Sequence, residues 1–291
     1  MNLQAEVHML KSEYVKARSI HTQILNQVSD KHNLISQGYA LFNIAEIDLK
    51  LGTAASEVEE TLARAMAIFS AKKCRGEVSM CETIQADLRL REGNLSVAGP
   101  ALQEHLRWYW GKRTEMVAYC LGCLGDVSRW HHIDWPQSWT VLFLVHGLSS
   151  KNKLAVYKAL QFLADSFLAE GDQVTATGLY NVALDAFTQM DVHRSRAECM
   201  LSLGDITKEN RNPEKAEELW KTAQPLFELS SQMKKVALVD ERLSQIAQEK
   251  SKKEIDMTLH IKLQDSSLPE SGILIAEDPA QNEDTKISIA I

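Results

Sequence analysis

Glycine and proline are scarce in this chain, at 13 and 6 of 291 residues. That scarcity disfavours a turn-rich all-β protein. Long apolar runs are also missing. The longest, Thr140 to Val145, falls far short of the ~18 residues expected of a membrane span. The N-terminal stretch MNLQAEVHMLKSEYVKA has no apolar core of the kind a secretory signal needs. There is no basic excess. A net charge of −7 and a pI near 5.8 give no bulk electrostatic pull toward nucleic acid. An acidic surface favours solubility and basic partners. The five cysteines are an odd number without a secretion signal, which points to reduced thiols, an intracellular chain and a cytoplasmic location, with no membrane partner.

The sequence also lacks the short motifs of common catalysts. It has no G-x-x-x-x-G-K-[S/T], no G-x-S-x-G and no H-E-x-x-H. Nine histidines are scattered along the chain. No enzyme activity, cofactor or small-molecule substrate is therefore expected. Cys120 and Cys123, followed by His131 and His132, have one half of a zinc-site spacing. The second half is absent, and the cysteines sit three apart on a predicted helix, so core thiols are the expected role.

A repeat is present along most of the chain. Ala5-Glu6, Ala45-Glu46, Ala86-Asp87, Gly125-Asp126, Ala164-Asp165 and Gly204-Asp205 follow one another at intervals of 40, 41, 39, 39 and 40 residues. A small residue recurs twelve positions later at Ala17, Ala98, Ala176 and Ala216. After Ala45 the turn is longer and the register resumes near Val58, Leu62 and Ala65. After Gly125 the position holds Gln137. Between the two small residues lie candidate helix caps: Ser12, Ser56, Asn94, Asp134, Asp172 and Asn212. Each has a side-chain oxygen able to accept an N–H of the next helix. Pro213 follows Asn212, where its missing N–H costs nothing. Apolar residues within the runs keep helical spacing, as in Leu160, Leu163, Phe167 and Leu168. The unit is therefore helix, short turn, helix. One such pair cannot bury its apolar faces alone, so neighbouring pairs must stack.

Small residues let antiparallel helices approach closely when the partner offers a bulky knob. Ala164 is expected against Ala176 and Tyr180, with Ala183 against the next unit. These positions resemble the tetratricopeptide (TPR) family. The matching residues are Leu160, Leu163, Ala164, Ala176, Tyr180 and Ala183 in the fifth unit, and Met200, Leu203, Gly204, Ala216, Trp220 and Ala223 in the sixth. The period is longer than the usual 34 residues. HEAT and armadillo arrays share a period near 40, but the paired small residues favour TPR. The resemblance covers roughly residues 1–250. It implies an all-α, right-handed TPR-like solenoid of about six helix-turn-helix repeats and a C-terminal capping helix. The first helix is truncated. The phrase Leu203-Gly204-Asp205 followed by Lys215-Ala216-Glu217-Glu218-Leu219-Trp220 is similar to arrays found C-terminal to signalling (STAND-type) NTPases, especially fungal ones.

Val236, Val239, Leu243 and Ile246 form a stripe suited to the cap. From Ser251 the composition turns to Ser, Asp, Glu, Pro and Gly, so 251–291 is expected to be a mostly disordered polar tail. Trp108, Trp110, Trp130, Trp135 and Trp139 cluster within about thirty residues, beside a segment after Pro136 that is apolar on every face. They suit either a thick core joint or an exposed aromatic surface.

The TPR resemblance implies that the first helices of successive units line a concave groove. Groove-facing positions are then Tyr39, Phe42, Glu46, Asp87, Tyr119, Asp126, Arg129, Trp130, Lys158, Asp165, Asp205 and Lys208. The acids form a column along it. They either recognise an extended protein or peptide, of basic or amide-rich character, or bond neighbouring helices through the basic links near Arg75, Arg113 and Arg194. The family's carboxylate clamp needs Lys and Asn at set positions, and the Asn position is acidic in every unit, so no chaperone-tail binding of that kind is expected. The expected role is a non-catalytic binding scaffold. The alternative is the sensor or oligomerisation array of a STAND-type NTPase whose catalytic domain lies elsewhere.

Overall fold

The computed structural model describes residues 2–29, 33–131 and 136–265, and side chains over 3–28, 33–127 and 138–255. Among the described residues every regular element is a helix. The first helices of the repeats are α1 (Asn2–Leu10), α3 (Leu34–Leu51), α5 (Arg75–Arg91), α7 (Thr114–His131), α9 (Lys153–Ala169) and α11 (His193–Glu209). The second helices are α2 (Tyr14–Ser29), α4 (Ala55–Ala71), α6 (Leu95–Tyr109), α8 (Pro136–Ser149), α10 (Gln173–Gln189) and α12 (Pro213–Leu229). A last helix, α13, runs over Met233–Asp265. Consecutive helices pack in pairs and the pairs stack, making an all-α solenoid. Helix α1 has 9 residues against 17 or 18 for the other first helices.

The chain divides into two compact units, Met1–Ile246 and Ala247–Ile291. In the second, the described residues 247–265 are helical. Helix therefore extends past residue 250, where composition alone placed the start of a disordered tail. Residues 266–291 lie outside the described residues. No described helix is long and apolar enough to cross a membrane.

The recurring small residues are packing positions. A Cβ built on Gly204 would lie 2.3 Å from the Trp220 Nε1, so only glycine lets α11 rest on that ring. The indole N–H in turn donates to the Leu201 carbonyl at 3.3 Å. Ala164 is fully buried in one cluster with Ala176, Tyr180, Ala183 and Phe187. In the fourth repeat the geometry changes. Gly125 meets the Phe162 ring of α9, at 2.9 Å from an added Cβ, so its knob comes from the following repeat.

Asp172 and Asn212 cap α10 and α12 by accepting the N–H of Thr175 at 3.0 Å and of Lys215 at 3.2 Å. Pro213 opens α12. Asn94 occupies the cap position of α6 without a side-chain cap bond. Ser56 does not cap α4: Ala54 holds the cap position, and the helix has already begun at Ala55. Asp134 lies outside the described residues. Two further caps join successive repeats, Asn33 to the Ser36 N–H and Asn152 to the Ala155 N–H. Inside the repeats, Gly171 takes a left-handed φ of +86°, which glycine adopts without a Cβ penalty. At the C-terminal end, Val236, Val239 and Ile246 are buried beside Trp220 and Phe227, closing the last repeat as the sequence stripe implied.

Within Met1–Ile246 the array curls back on itself. Lys11, in the α1–α2 turn, pairs with Asp191 in the α10–α11 turn at 2.7 Å. The His193 N–H donates to the Lys11 carbonyl at 3.2 Å. Gln232 Nε2 donates to the Lys50 carbonyl at 3.2 Å. Each bond joins residues about 180 positions apart.

Candidate functional site

The curl leaves a half-open cavity of about 430 Å³ against the first helices. Glu46 and Lys50 reach it from α3, Asp87 and Arg91 from α5, Tyr119 and Asp126 from α7, Lys158 from α9, and Arg194 and Glu198 from α11. Tyr14, at the start of α2, adds a further wall. Apolar surface comes from Leu10, Phe143, Leu154 and Phe162. The helical period places these groups together. Residues four apart on a first helix share a face, so each acid at the repeat's acidic position can carry a base one turn on.

That arrangement holds in α3 and α5. Lys50 pairs with Glu46 at 3.1 Å and lies 5.2 Å from the Tyr119 ring centroid. Arg91 grips Asp87 through two bonds of 3.0 and 3.3 Å. The Tyr119 hydroxyl donates to the same carboxylate at 2.6 Å. Burial works to raise the Asp87 pKa, but Arg91, Tyr119 and Lys50 outweigh it and hold the carboxyl below its ordinary range. Burial likewise opposes the Lys50 charge, but Glu46, Tyr14 and Asp87 together outweigh it and raise the Lys50 pKa.

On α9 and α11, two cations share one carboxylate. Lys158 bonds Glu198 at 2.9 Å and Arg194 bonds it at 2.8 Å. Lys158 also donates to Ser195 at 3.2 Å and to Gln161 at 3.1 Å. Gln161 Nε2 bonds Glu198 at 3.0 Å. Burial would raise the Glu198 pKa, yet Lys158 and Arg194 drive it well below the carboxylate range. Tyr14 reports the same charges. Its burial acts to raise the hydroxyl pKa, but Arg194, Lys50 and Lys158 pull it below the ordinary value. For Tyr119 and Cys123 the effect reverses. Burial and then the charges of Asp87 and Glu46 raise Tyr119, and burial followed by Asp87 and Asp126 raises Cys123.

The structure gathers five of the sequence-expected groove residues at this cavity: Glu46, Asp87, Tyr119, Asp126 and Lys158. Phe42 is a correction. It is buried in the core cluster with Leu41, Ala45, Leu62 and Phe69, because that face of α3 turns toward α4. Tyr39 lies off the cavity, donates to Glu77 at 2.8 Å and stacks edge-on against Phe69. The Tyr180 hydroxyl donates to Asp165 within the same repeat. Arg242 of α13 grips Asp205 through two bonds of 2.6 and 2.8 Å. Lys208 sits in the last turn of α11. The side chains of Arg129 and Trp130 lie outside the described residues. The acidic column thus divides. Asp165 and Asp205 join helices together, while Glu46, Asp87 and Asp126 face the cavity.

Sequence reasoning overlooked Tyr14, Lys50, Arg91 and Glu198, and it took Arg194 only as a link. The i+4 spacing of Lys50 and Arg91 from the acids was a readable signal. Tyr14 carried none, because it reaches the site only through the long-range curl.

Cys120 and Cys123 are buried on α7, and burial pushes the Cys120 thiol up to about 12. Among the described residues no cluster of three or more His, Cys, Asp or Glu is placed to hold a metal ion. His132 lies outside those residues, as does the side chain of His131. Of the tryptophans, Trp108 and Trp139 pack partly buried against the core, whereas Trp110 is exposed. Trp135 and the Trp130 side chain lie outside the described residues.

No protein-family model matches the sequence, and no curated protein matches it. Among solved structures, the chain is similar to the crystal structure of BtubC (BKLC) from P. vanneervenii, with 17% identity and a TM-score of 0.48 over 78% of this chain and 97% of that one.

Proposed function

We propose that this chain is a non-catalytic, TPR-type scaffold that binds a protein or peptide on the concave side of its first helices, in the cytoplasm. The observation that carries the proposal is the convergence of Glu46, Asp87, Tyr119, Asp126 and Lys158 from four successive repeats on one cavity. Rigid paired helices hold these groups in place, which keeps the cost of ordering them on binding small. The aromatic and apolar lining supplies affinity, and the alternating charges supply selectivity.

Equilibrium dialysis of the full chain against a random pool of twelve-residue peptides, read by mass spectrometry, tests the proposal. Retained peptides should be lost with Asp126→Asn and kept with Asp205→Asn, which lies off the cavity. Retention that ignores Asp126, or no retention, overturns it.

A second function, as the sensor or oligomerisation array of a STAND-type NTPase, is favoured by the Leu203-Gly204-Asp205 and Lys215–Trp220 phrases, whose Gly204 and Trp220 interlock here. It expects self-association, so a monomeric mass by light scattering at high concentration counts against it.

A further inference from the structure

The cavity has a chemical bias that the scaffold proposal leaves unspecified. Its described lining holds four acids, Glu46, Asp87, Asp126 and Glu198, and four bases, Lys50, Arg91, Lys158 and Arg194. A ligand with net charge would upset that balance in a partly desolvated space, where uncompensated charge is costly. A ligand whose own charges are separated and equal would not. The charges are also unevenly placed. Lys158 and Arg194, on α9 and α11, share the single carboxylate Glu198. On α3, α5 and α7 three acids, Glu46, Asp87 and Asp126, stand with two bases, Lys50 and Arg91.

We propose that this cavity is the site of a small zwitterion, a free peptide of two or three residues, with its carboxylate toward Tyr14, Lys158 and Arg194 and its ammonium toward Asp87 and Asp126. The proposal deepens the scaffold function and rests on it. The size agrees. A sphere of 430 Å³ is roughly 9 Å across, the reach of about three extended residues, and the volume falls at the small end of ligand pockets. The apolar wall of Leu10, Phe143, Leu154 and Phe162 is available to side chains. The carboxylate subsite differs from the family's Lys-and-Asn clamp, because its bases come from α9 and α11 and offset the acidic column that would otherwise repel a terminal carboxylate.

Equilibrium dialysis of the full chain against a mixed pool of free dipeptides and tripeptides tests the proposal, with mass spectrometry as the readout. Matched pools are acetylated at the N-terminus or amidated at the C-terminus. Free peptides should be retained at least tenfold above both capped pools. Lys158→Met should abolish the distinction between free and amidated peptides, and Lys158→Arg should keep it, each variant being checked for an unchanged fold by circular dichroism. If Lys158→Met fails to fold, the three pools on the native chain still decide. No retention of the free pool, equal retention of all three pools, or a well-folded Lys158→Met chain that still discriminates overturns the proposal. If twelve-residue peptides bind and free short ones do not, this inference falls while the scaffold function stands. If only the short ones bind, the inference stands and the scaffold function narrows to free short peptides.

Discussion

The sixth repeat and the fourth repeat carry the same small-residue-then-acid signature and use it differently. In the sixth, Gly204 seats Trp220 of its own second helix, and Asp205 is gripped by Arg242 of the helix that follows. Packing within the repeat and bonding between repeats are separate tasks given to adjacent residues. In the fourth, Gly125 seats Phe162 of the next repeat, and Asp126 faces the cavity. Helix α8 holds no alanine at the position where four of the other five repeats place one. It leaves Val141, Val145 and Leu148 exposed. The comparison shows that a repeat signature fixes where helices come close, but not which neighbour fills the gap. Where the second helix does not supply the knob, the next repeat does, and Phe162 then belongs to both the core and the cavity wall.

Substitution at the two glycines should have the largest effect. Gly204→Leu forces a side chain into the buried indole and should cost on the order of 3 kcal/mol, lowering Tm by roughly 6–12 °C at this size. Gly125→Leu pushes against the edge of Phe162 and should cost about 1–3 kcal/mol, and it alone should also disturb ligand retention. Thermal melts in which the order reverses, or both are neutral, would remove the division of roles between the two repeats.

The next effect concerns the two tyrosine–aspartate bonds. Tyr180→Phe removes the hydroxyl that bonds Asp165 in the regular half and should cost about 1–2 kcal/mol. Tyr119→Phe should cost less, about 1 kcal/mol or under, because Asp87 keeps both bonds from Arg91. Denaturant unfolding of both variants checks the order, and a costlier Tyr119→Phe would mean that the Asp87–Arg91 pair depends on the ring.

The smallest effect is a slope with pH, expected from the front half of the array. Burial holds His21 and His105 below their ordinary value of 6.5. The unfolded chain therefore takes up protons first as acid is added. Stability is kept above about pH 6.5 and falls as pH drops through and below it. His105→Gln should flatten that slope in melts between pH 7 and 5. An unchanged slope would remove His105 from the titration.

Much of the fold was legible because it follows from local spacing. The period near 40, the caps Asp172 and Asn212, the Pro213 start and the closing stripe of α13 all depend on residues within a few turns of one another. Asn33 and Asn152 fall outside the spacing of the paired small residues, in the turns between repeats, which have the same unsatisfied N–H groups. Phe42 was misplaced by carrying a family face onto α3, where a bulky ring gains more by burial than by facing the groove. The cavity was half legible. Its acids follow the signature, and Lys50 and Arg91 follow from i+4 spacing. Tyr14, Arg194 and Glu198 join them through a contact between positions about 180 residues apart, which no local pattern encodes.

The pairing of Lys11 with Asp191, beside the backbone bond from His193, has a thermodynamic consequence. In an open array each repeat touches only its neighbours, stability is a chain of nearest-neighbour contributions, and the terminal repeats fray first. Here the short first repeat has a second neighbour far along the sequence. Its fraying is coupled to the junction of the fifth and sixth repeats, so the one-dimensional description gains a long-range link. The entropy of closing so long a loop has largely been met already by the stacked helices between its ends. The register of the first repeat is thereby tied to that of the fifth and sixth.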